Sequence, residues 1–412
     1  MHLRFAVNAS AALLISAAPL PAQTAAPDPV IEWSVAASRA AASSGMAPLR
    51  GPLTLALVHL AMYDAVNAIA GGHEPYAVRP VVERPASAVA AAVEAGYRVL
   101  LVEFPAEQAA LQATYERLLA SVPESPARTN GVRVGAAVAH EILRMRARDG
   151  RNATVSYVPR TGPGVWGPTP PGLLKETTAF LARVTPFTMD SPSGVHSPGP
   201  PTFRSKRWAD DYNEVKALGA KDSSRRTAAQ TATALFWEPI ATTAWPPAIR
   251  RLAQEQALDL PASARFQAAT FAAFADAIIV CWDAKYRFNF WRPITAIRHG
   301  DADDNDHTDA DPAWEPLGVT PNFPEYAAGH ACATAAVAYT IEHFFARRVP
   351  IPVRNIVTGE ERVYQRADDV VDEVVEARML LGVHFRSGDE DGADIGRQIA
   401  RHIRRSLFKP RP

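Results

Sequence analysis

The sequence predicts an all-α protein built as two packed helical bundles, and three observations carry that prediction. Apolar residues recur at spacings of three and four along most of the chain, strand-like alternation is almost absent, and Pro and Gly cut the periodic stretches at short intervals. The 412 residues, 48% of them hydrophobic, suffice for two domains or one large one with an ample core. Lys+Arg and Asp+Glu both number 43, so the overall charge does not point to nucleic acid or another polyanionic partner.

The elements follow in order. Arg4, an apolar run from Phe5 to Ala18 and small residues from Ala22 to Ala26 predict a signal peptide over 1–25 and an exported, periplasmic or secreted protein. That run is too short to span a membrane. Later apolar stretches are interrupted by Asp276 and Glu342, so no integral membrane segment is expected after cleavage. An N-terminal helical domain is expected over 26–204. Its helices fall at about 29–45, 51–70, 85–103, 105–121 and 127–149, and a segment with ten prolines follows from 150 to 204. A second helical domain is expected over 205–412, with helices near 205–217, 225–237, 246–258, 262–288, 329–346, 366–381 and 389–406. "RNIVTGEERVY" (354–364) reads as one hairpin with a Thr-Gly turn. Cys281 and Cys332 are two buried thiols or one disulfide, the thiols being the favoured reading.

Chemistry concentrates in three stretches of the second half. "KYRFNFWRP" places Lys285 and Arg292 seven residues apart, within about 20° of one helical face if the helix runs that far, among Tyr286, Phe288, Phe290 and Trp291. "AAGH" sets Gly329 and His330 where a loop becomes an apolar helix, a place where backbone N–H groups favour an anion. "RMLLGVH" sets Arg378 and His384 about 120° apart on a straight helix, with Gly382 able to end the helix and turn His384 back.

In that order the three stretches resemble the vanadium-dependent haloperoxidase and type 2 phosphatidic acid phosphatase superfamily, and the first half, including "LVHLAMYDAVNAI", resembles its secreted bacterial haloperoxidase-like branch. The chain departs from the pattern twice. Ala328 stands where the family usually has Ser. The phosphatase branch usually has Asp four residues after the last His, where this chain has Gly388, with Asp389 one further on. The resemblance implies vanadate, or phosphate in its place, held by Lys285, Arg292, Arg378 and the N–H of Gly329. His384 would be the vanadium ligand or a phosphohistidine nucleophile, and His330 the general acid/base. Hydrogen peroxide and halide would be the substrates, or a phosphate ester in an acid phosphatase. A non-catalytic oxyanion-binding protein is the third reading, prompted by Ala328. Phe323 falls where the family places a residue near the halide route, and an aromatic there resembles the chloroperoxidase arrangement.

Other features are read as structural. "PSGVH" (192–196) belongs to the Pro-rich loop, and "DADDNDHTDAD" (301–311) is a solvated acidic loop lacking the Gly and Glu of a calcium-binding EF-hand. His59, His140, His343 and His402 lack ligand spacing, and Asp64 is expected to be a buried hydrogen-bonding group. Arg287, Arg298 and Arg386 are further candidates to complete the cation set, as is Asp389 to orient His384.

Overall fold

The structure, a computed structural model, describes residues 27–411 except 159, 240 and 346; the expected signal peptide lies outside the described residues. It is all-α. The first half supplies α1 (Pro29–Ser43), α2 (Gly51–Ala70), α3 (Ala88–Glu103), α4 (Gln108–Ala120) and α5 (Pro126–Arg146). The second supplies α6 (Lys206–Leu218), α7 (Ala228–Phe236), α8 (Ala241–Glu255), α9 (Leu260–Phe288), α10 (Pro293–Arg298) and α11 (Gly329–Phe344). The hairpin β1 (Ile351–Arg354) and β2 (Glu361–Tyr364) follows, pairing Ile351 with Tyr364, and then α12 (Ala367–Leu380) and α13 (Arg386–Ser406). Side-chain caps start several helices as the sequence suggests: Asp28 accepts from the Val30 N–H at 2.8 Å, and Thr227 with Gln230 forms a capping box.

Two helices organise the core. α2 and α9 are long and apolar enough to cross a membrane, yet 89% and 94% of their apolar windows are buried inside the protein, as core helices are. α9 packs against α2 on one side and α11 on the other, and α11 packs against α13. Gly392 and Gly396 of α13 allow that last approach. A Cβ on Gly396 would lie 2.4 Å from the Cys332 carbonyl, and one on Gly392 would lie 2.8 Å from that of Ala328. α13 is thereby held against the start of α11, where two of the predicted site residues sit.

The Pro-rich segment is not a spacer. Phe187 and Thr188 donate their N–H groups to Asp276 of α9 at 2.6 and 2.9 Å, and Trp166 donates to the Asn289 carbonyl at 2.9 Å. Asp64 behaves as expected, accepting from the backbone N–H groups of Tyr76, Ala77 and Val78 at 2.6–2.9 Å. Both cysteines are buried free thiols, and Cys281 donates to the Ala327 carbonyl at 3.1 Å.

α9 ends at Phe288, as the helix expected over 262–288 does; Asn289 adopts the left-handed conformation (φ 50°), so the helix does not run on to Arg292. Three expectations need correction. Arg292 itself is extended (φ −85°, ψ 156°), as a residue before proline prefers, and it opens the short α10 that sequence reading missed. α8 begins at Ala241 rather than 246, so Pro246 and Pro247 lie inside it. The acidic loop is not wholly solvated, because Asp303 is buried and accepts from Trp208 Nε1 at 2.6 Å and from the Thr308 hydroxyl.

Candidate functional site: a buried cation cage

The segment 323–330 is the floor on which the site is built. Lys285, near the end of α9, is fully buried and donates to the carbonyls of Pro324, Glu325 and Ala327 at 3.0, 2.8 and 2.6 Å. Arg292, also fully buried, donates through Nε to the Phe323 carbonyl at 2.9 Å and through Nη1 to that of Val383 at 2.8 Å. The two cations therefore meet on one segment although they do not share a helix. Arg378, in the last turn of α12, donates through Nη1 to the Trp237 carbonyl at 3.0 Å. Gly382 (φ 73°) ends the chain's run after α12 and brings His384 back toward Arg292, whose Nη1 lies 3.3 Å from His384 Nε2. Gly329 opens α11, and a Cβ there would strike the Trp282 ring at 2.9 Å.

A cavity of about 310 Å³ gathers Gly329, His330, Arg378 and His384, with Trp282 and Phe323 among its apolar walls. At ~30 Å³ per water it has room for a tetrahedral anion and several solvent molecules. Phe323 lies 5.2 Å from Lys285 Nζ and 5.1 Å from the Arg292 guanidinium, so the cations rest against its ring.

The electrostatics are those of an incomplete site. Among the described residues, none of Lys285, Arg292 and Arg378 forms an ion pair with a carboxylate. Arg292 Nη2 and Arg378 Nε are buried without any hydrogen-bond partner. Desolvation, with the neighbouring cations, lowers Lys285 to about 8 and Arg292 to about 9, and desolvation lowers Arg378 to about 10. His330 and His384 are held well below the usual histidine value, first by desolvation and then by all three cations. Both rings are therefore neutral, and each feels the same three charges.

Their tautomers follow from their partners. His384 Nδ1 lies 2.8 Å from Glu325 Oε1, which also accepts from the Phe385 N–H at 3.2 Å. Arg292 Nη1 can only donate, and it lies 3.3 Å from Nε2, so Nε2 carries the lone pair and the imidazole proton sits on Nδ1, facing Glu325. His330 Nε2 lies 3.1 Å from the Pro239 carbonyl, which can only accept, so this ring carries its proton on Nε2 and leaves Nδ1 as a base.

Glu325 was missed by sequence reasoning, which offered Asp389 or a backbone carbonyl to orient His384. Asp389 is buried with neither carboxyl oxygen hydrogen-bonded, and burial with Glu325 nearby drives its pKa well up. Gly388 explains the exchange: a Cβ there would lie 2.5 Å from Glu325 Oε1, so Glu325 occupies the space a side chain at 388 would need. A lone carboxylate among the apolar residues of "FPEYAAGH" is the signal that could have found it. Three further cations are engaged elsewhere: Arg287 with Asp283, Arg298 with the Trp314 carbonyl, and Arg386 with Glu214 and Glu376. "PSGVH" forms a surface turn in which the His196 N–H donates to Gln398, remote in sequence from the cage. His402 Nε2 lies 2.7 Å from the Thr188 carbonyl, and His59 stacks on Phe271.

A helical fold that buries unpaired cations beside two neutral histidines has the chemistry to hold an oxyanion, and comparison with known proteins adds to this. Residues 265–409, about a third of the chain, match the VCPO second helical-bundle domain. Vanadium chloroperoxidase of Curvularia inaequalis is 30% identical over 204 residues, which are 42% of this chain and 32% of that protein; the match thus spans about a third of the relative's length. Among solved structures, a bacterial vanadium-dependent iodoperoxidase aligns with a TM-score of 0.76 at 22% identity, over 93% of this chain and 96% of that one. A holo-type bacterial vanadium-dependent chloroperoxidase aligns at 0.65 and 18% identity, over 87% and 92%. At these identities the two structures establish the fold.

Proposed function

We propose that the protein is a vanadate-dependent haloperoxidase that oxidises halide with hydrogen peroxide in the 310 Å³ cavity, acting after export. One observation carries the reading. Arg292 Nη2 and Arg378 Nε are buried donors without acceptors, beside Lys285, and none of the three cations is ion-paired with the carboxylates nearby, Glu238, Glu325 and Asp389. Vanadate fits this set, because a tetrahedral oxyanion supplies both the acceptor atoms and the negative charge. Bound there, it would act as a Lewis acid that activates peroxide toward halide while remaining fully oxidised.

The chain's own residues supply the rest. Lys285, Arg292 and Arg378 hold the anion and keep negative charge stabilised as it develops. Glu325 fixes the His384 proton on Nδ1, so that Nε2 can serve as the ligand atom. His330, its Nε2–H tied to Pro239, has Nδ1 available to take up and return a proton, and its lowered pKa keeps it in the basic form at neutral pH. Trp282 and Phe323 limit water around the charges.

The Glu325–His384 pair also favours a second reading. A neutral imidazole with an oriented, unprotonated Nε2 is equally a phosphoryl acceptor, so an acid phosphatase acting through phosphohistidine at His384 is the alternative. Peroxide-dependent bromide and iodide oxidation by the purified protein, before and after orthovanadate is added, separates the two. Activity appearing only with vanadate is expected. Hydrolysis of a phosphate ester with a base-stable phosphoenzyme lost in His384→Ala, and no halide oxidation, would replace the first reading by the second.

A further inference from the structure

We propose that Thr242 supplies the hydroxyl contact to the bound oxyanion that Ala328 cannot; this rests on the oxyanion reading of the cavity but not on which reaction occurs there. Ala328 is fully buried at the start of α11, immediately before Gly329, and its methyl group has nothing to donate. The cage thus lacks the side-chain hydroxyl expected at this position.

Thr242 stands in the wall of the same cavity. It is the second residue of α8, only 9% exposed, and its hydroxyl is buried with no hydrogen-bond partner. Three threonine hydroxyls among the described residues are buried and unpartnered, those of Thr242, Thr320 and Thr340, and of these Thr242 alone lines the cavity with Gly329, His330, Arg378 and His384. An unsatisfied buried hydroxyl is costly, so a protein that keeps one beside a set of unsatisfied cationic donors is arranged for a common acceptor.

The strap leading to Thr242 is fastened to the cage at two points. The Trp237 carbonyl accepts from Arg378 Nη1 at 3.0 Å, and the Pro239 carbonyl is 3.1 Å from His330 Nε2. A residue shortly after these tethers cannot drift independently of the two side chains they hold. α8 also begins at Ala241, so the positive end of its dipole lies at Thr242 and adds to the field an anion would meet. The hydroxyl therefore donates to an anion oxygen, in company with Arg378 and the Gly329 N–H.

The test is titration calorimetry of the apoprotein with inorganic phosphate and with orthovanadate, using wild type, Thr242→Val, Thr242→Ser and Ala328→Ser. Thr242→Val, which keeps the shape and removes the donor, should weaken both anions about ten- to a hundred-fold, the range for a hydrogen bond to a charged group. Thr242→Ser should stay within about threefold of wild type, and Ala328→Ser should restore most of the affinity when added to Thr242→Val. Wild-type affinity in a Thr242→Val protein whose circular dichroism and melting temperature are unchanged would overturn the assignment. If Thr242→Val weakens binding but wild type oxidises no halide, the haloperoxidase reading fails and the role of Thr242 stands. An apoprotein that binds neither anion overturns both.

Discussion

Two clusters of buried charge in this protein have opposite constructions. Where α5 ends, Arg146 and Arg151 share Asp149 at 2.9 Å each, and Arg151 also reaches Glu103 at 3.1 Å. Arg146 further donates to the carbonyls of Thr185 and Pro186, which ties the Pro-rich segment to α5. In the cage, Lys285, Arg292 and Arg378 are as deeply buried but rest on carbonyls and the His384 ring, and leave two guanidinium nitrogens without partners. The first cluster pairs both of its cations with carboxylates of the fold, leaving only Arg151 Nε without a partner, and serves the fold. The second has the positive charge of a site that, on the proposed function, takes its counter-anion from outside. Buried arginine alone does not mark a functional site; buried arginine without its carboxylate does.

The contrast predicts opposite results from similar substitutions. Asp149→Ala leaves buried Arg146 without a carboxylate and Arg151 with Glu103 alone, and should destabilise the fold by about 3–5 kcal/mol in urea unfolding. Arg378→Leu removes a charge that is not ion-paired with any carboxylate among the described residues. Its apoprotein should unfold within about 1 kcal/mol of wild type, while vanadate or phosphate affinity falls at least about a hundredfold. Equal destabilisation by both substitutions would erase the distinction.

A smaller effect sharpens the account of the histidines. Glu325→Gln retains an oxygen that can accept from His384 Nδ1 and should keep much of the wild-type turnover, whereas Glu325→Ala frees the ring and should lower turnover about 10- to 100-fold. The readout that separates orientation from simple unfolding is the rescue by Gln in a protein of unchanged melting temperature.

The smallest predicted effect lies outside both clusters. His59 is fully buried, neither ring nitrogen has a partner, and burial lowers its pKa to about 3. An unfolded histidine takes up a proton below about 6.5, so the unfolded state binds more protons between about pH 6.5 and 3. Stability contributed by neutral His59 is therefore full above 6.5 and is lost progressively as pH falls. His59→Phe should flatten this acid limb of the stability–pH curve, measured by denaturant unfolding at pH 4 and 7, and an unchanged limb would show that His59 does not contribute to it.

Much of this was legible in the sequence because helix periodicity and motif order are local properties. The limits of α2 and the start of α11 at Gly329 follow from Pro, Gly and apolar spacing. The partners of the motif residues were not legible, since they depend on how distant segments pack. Glu325 reaches His384 across fifty-nine residues of chain, and the strap before α8 meets Arg378 and His330 from still farther away. The end of α9 at 288 was legible, but what fixes it was not: the left-handed Asn289 pairs with Tyr157 and Trp166 of the distant Pro-rich segment.

Thermal unfolding of the purified apoprotein at increasing orthovanadate concentration tests the central claim most directly. An anion that completes the cage binds the folded state alone and adds about 2.7 kcal/mol of stability at a hundredfold excess over its dissociation constant. The account predicts a melting temperature that climbs with vanadate in wild type and in Asp149→Ala, and that stays fixed in Arg378→Leu. A wild-type melting temperature indifferent to vanadate, or one that climbs equally in Arg378→Leu, would contradict it.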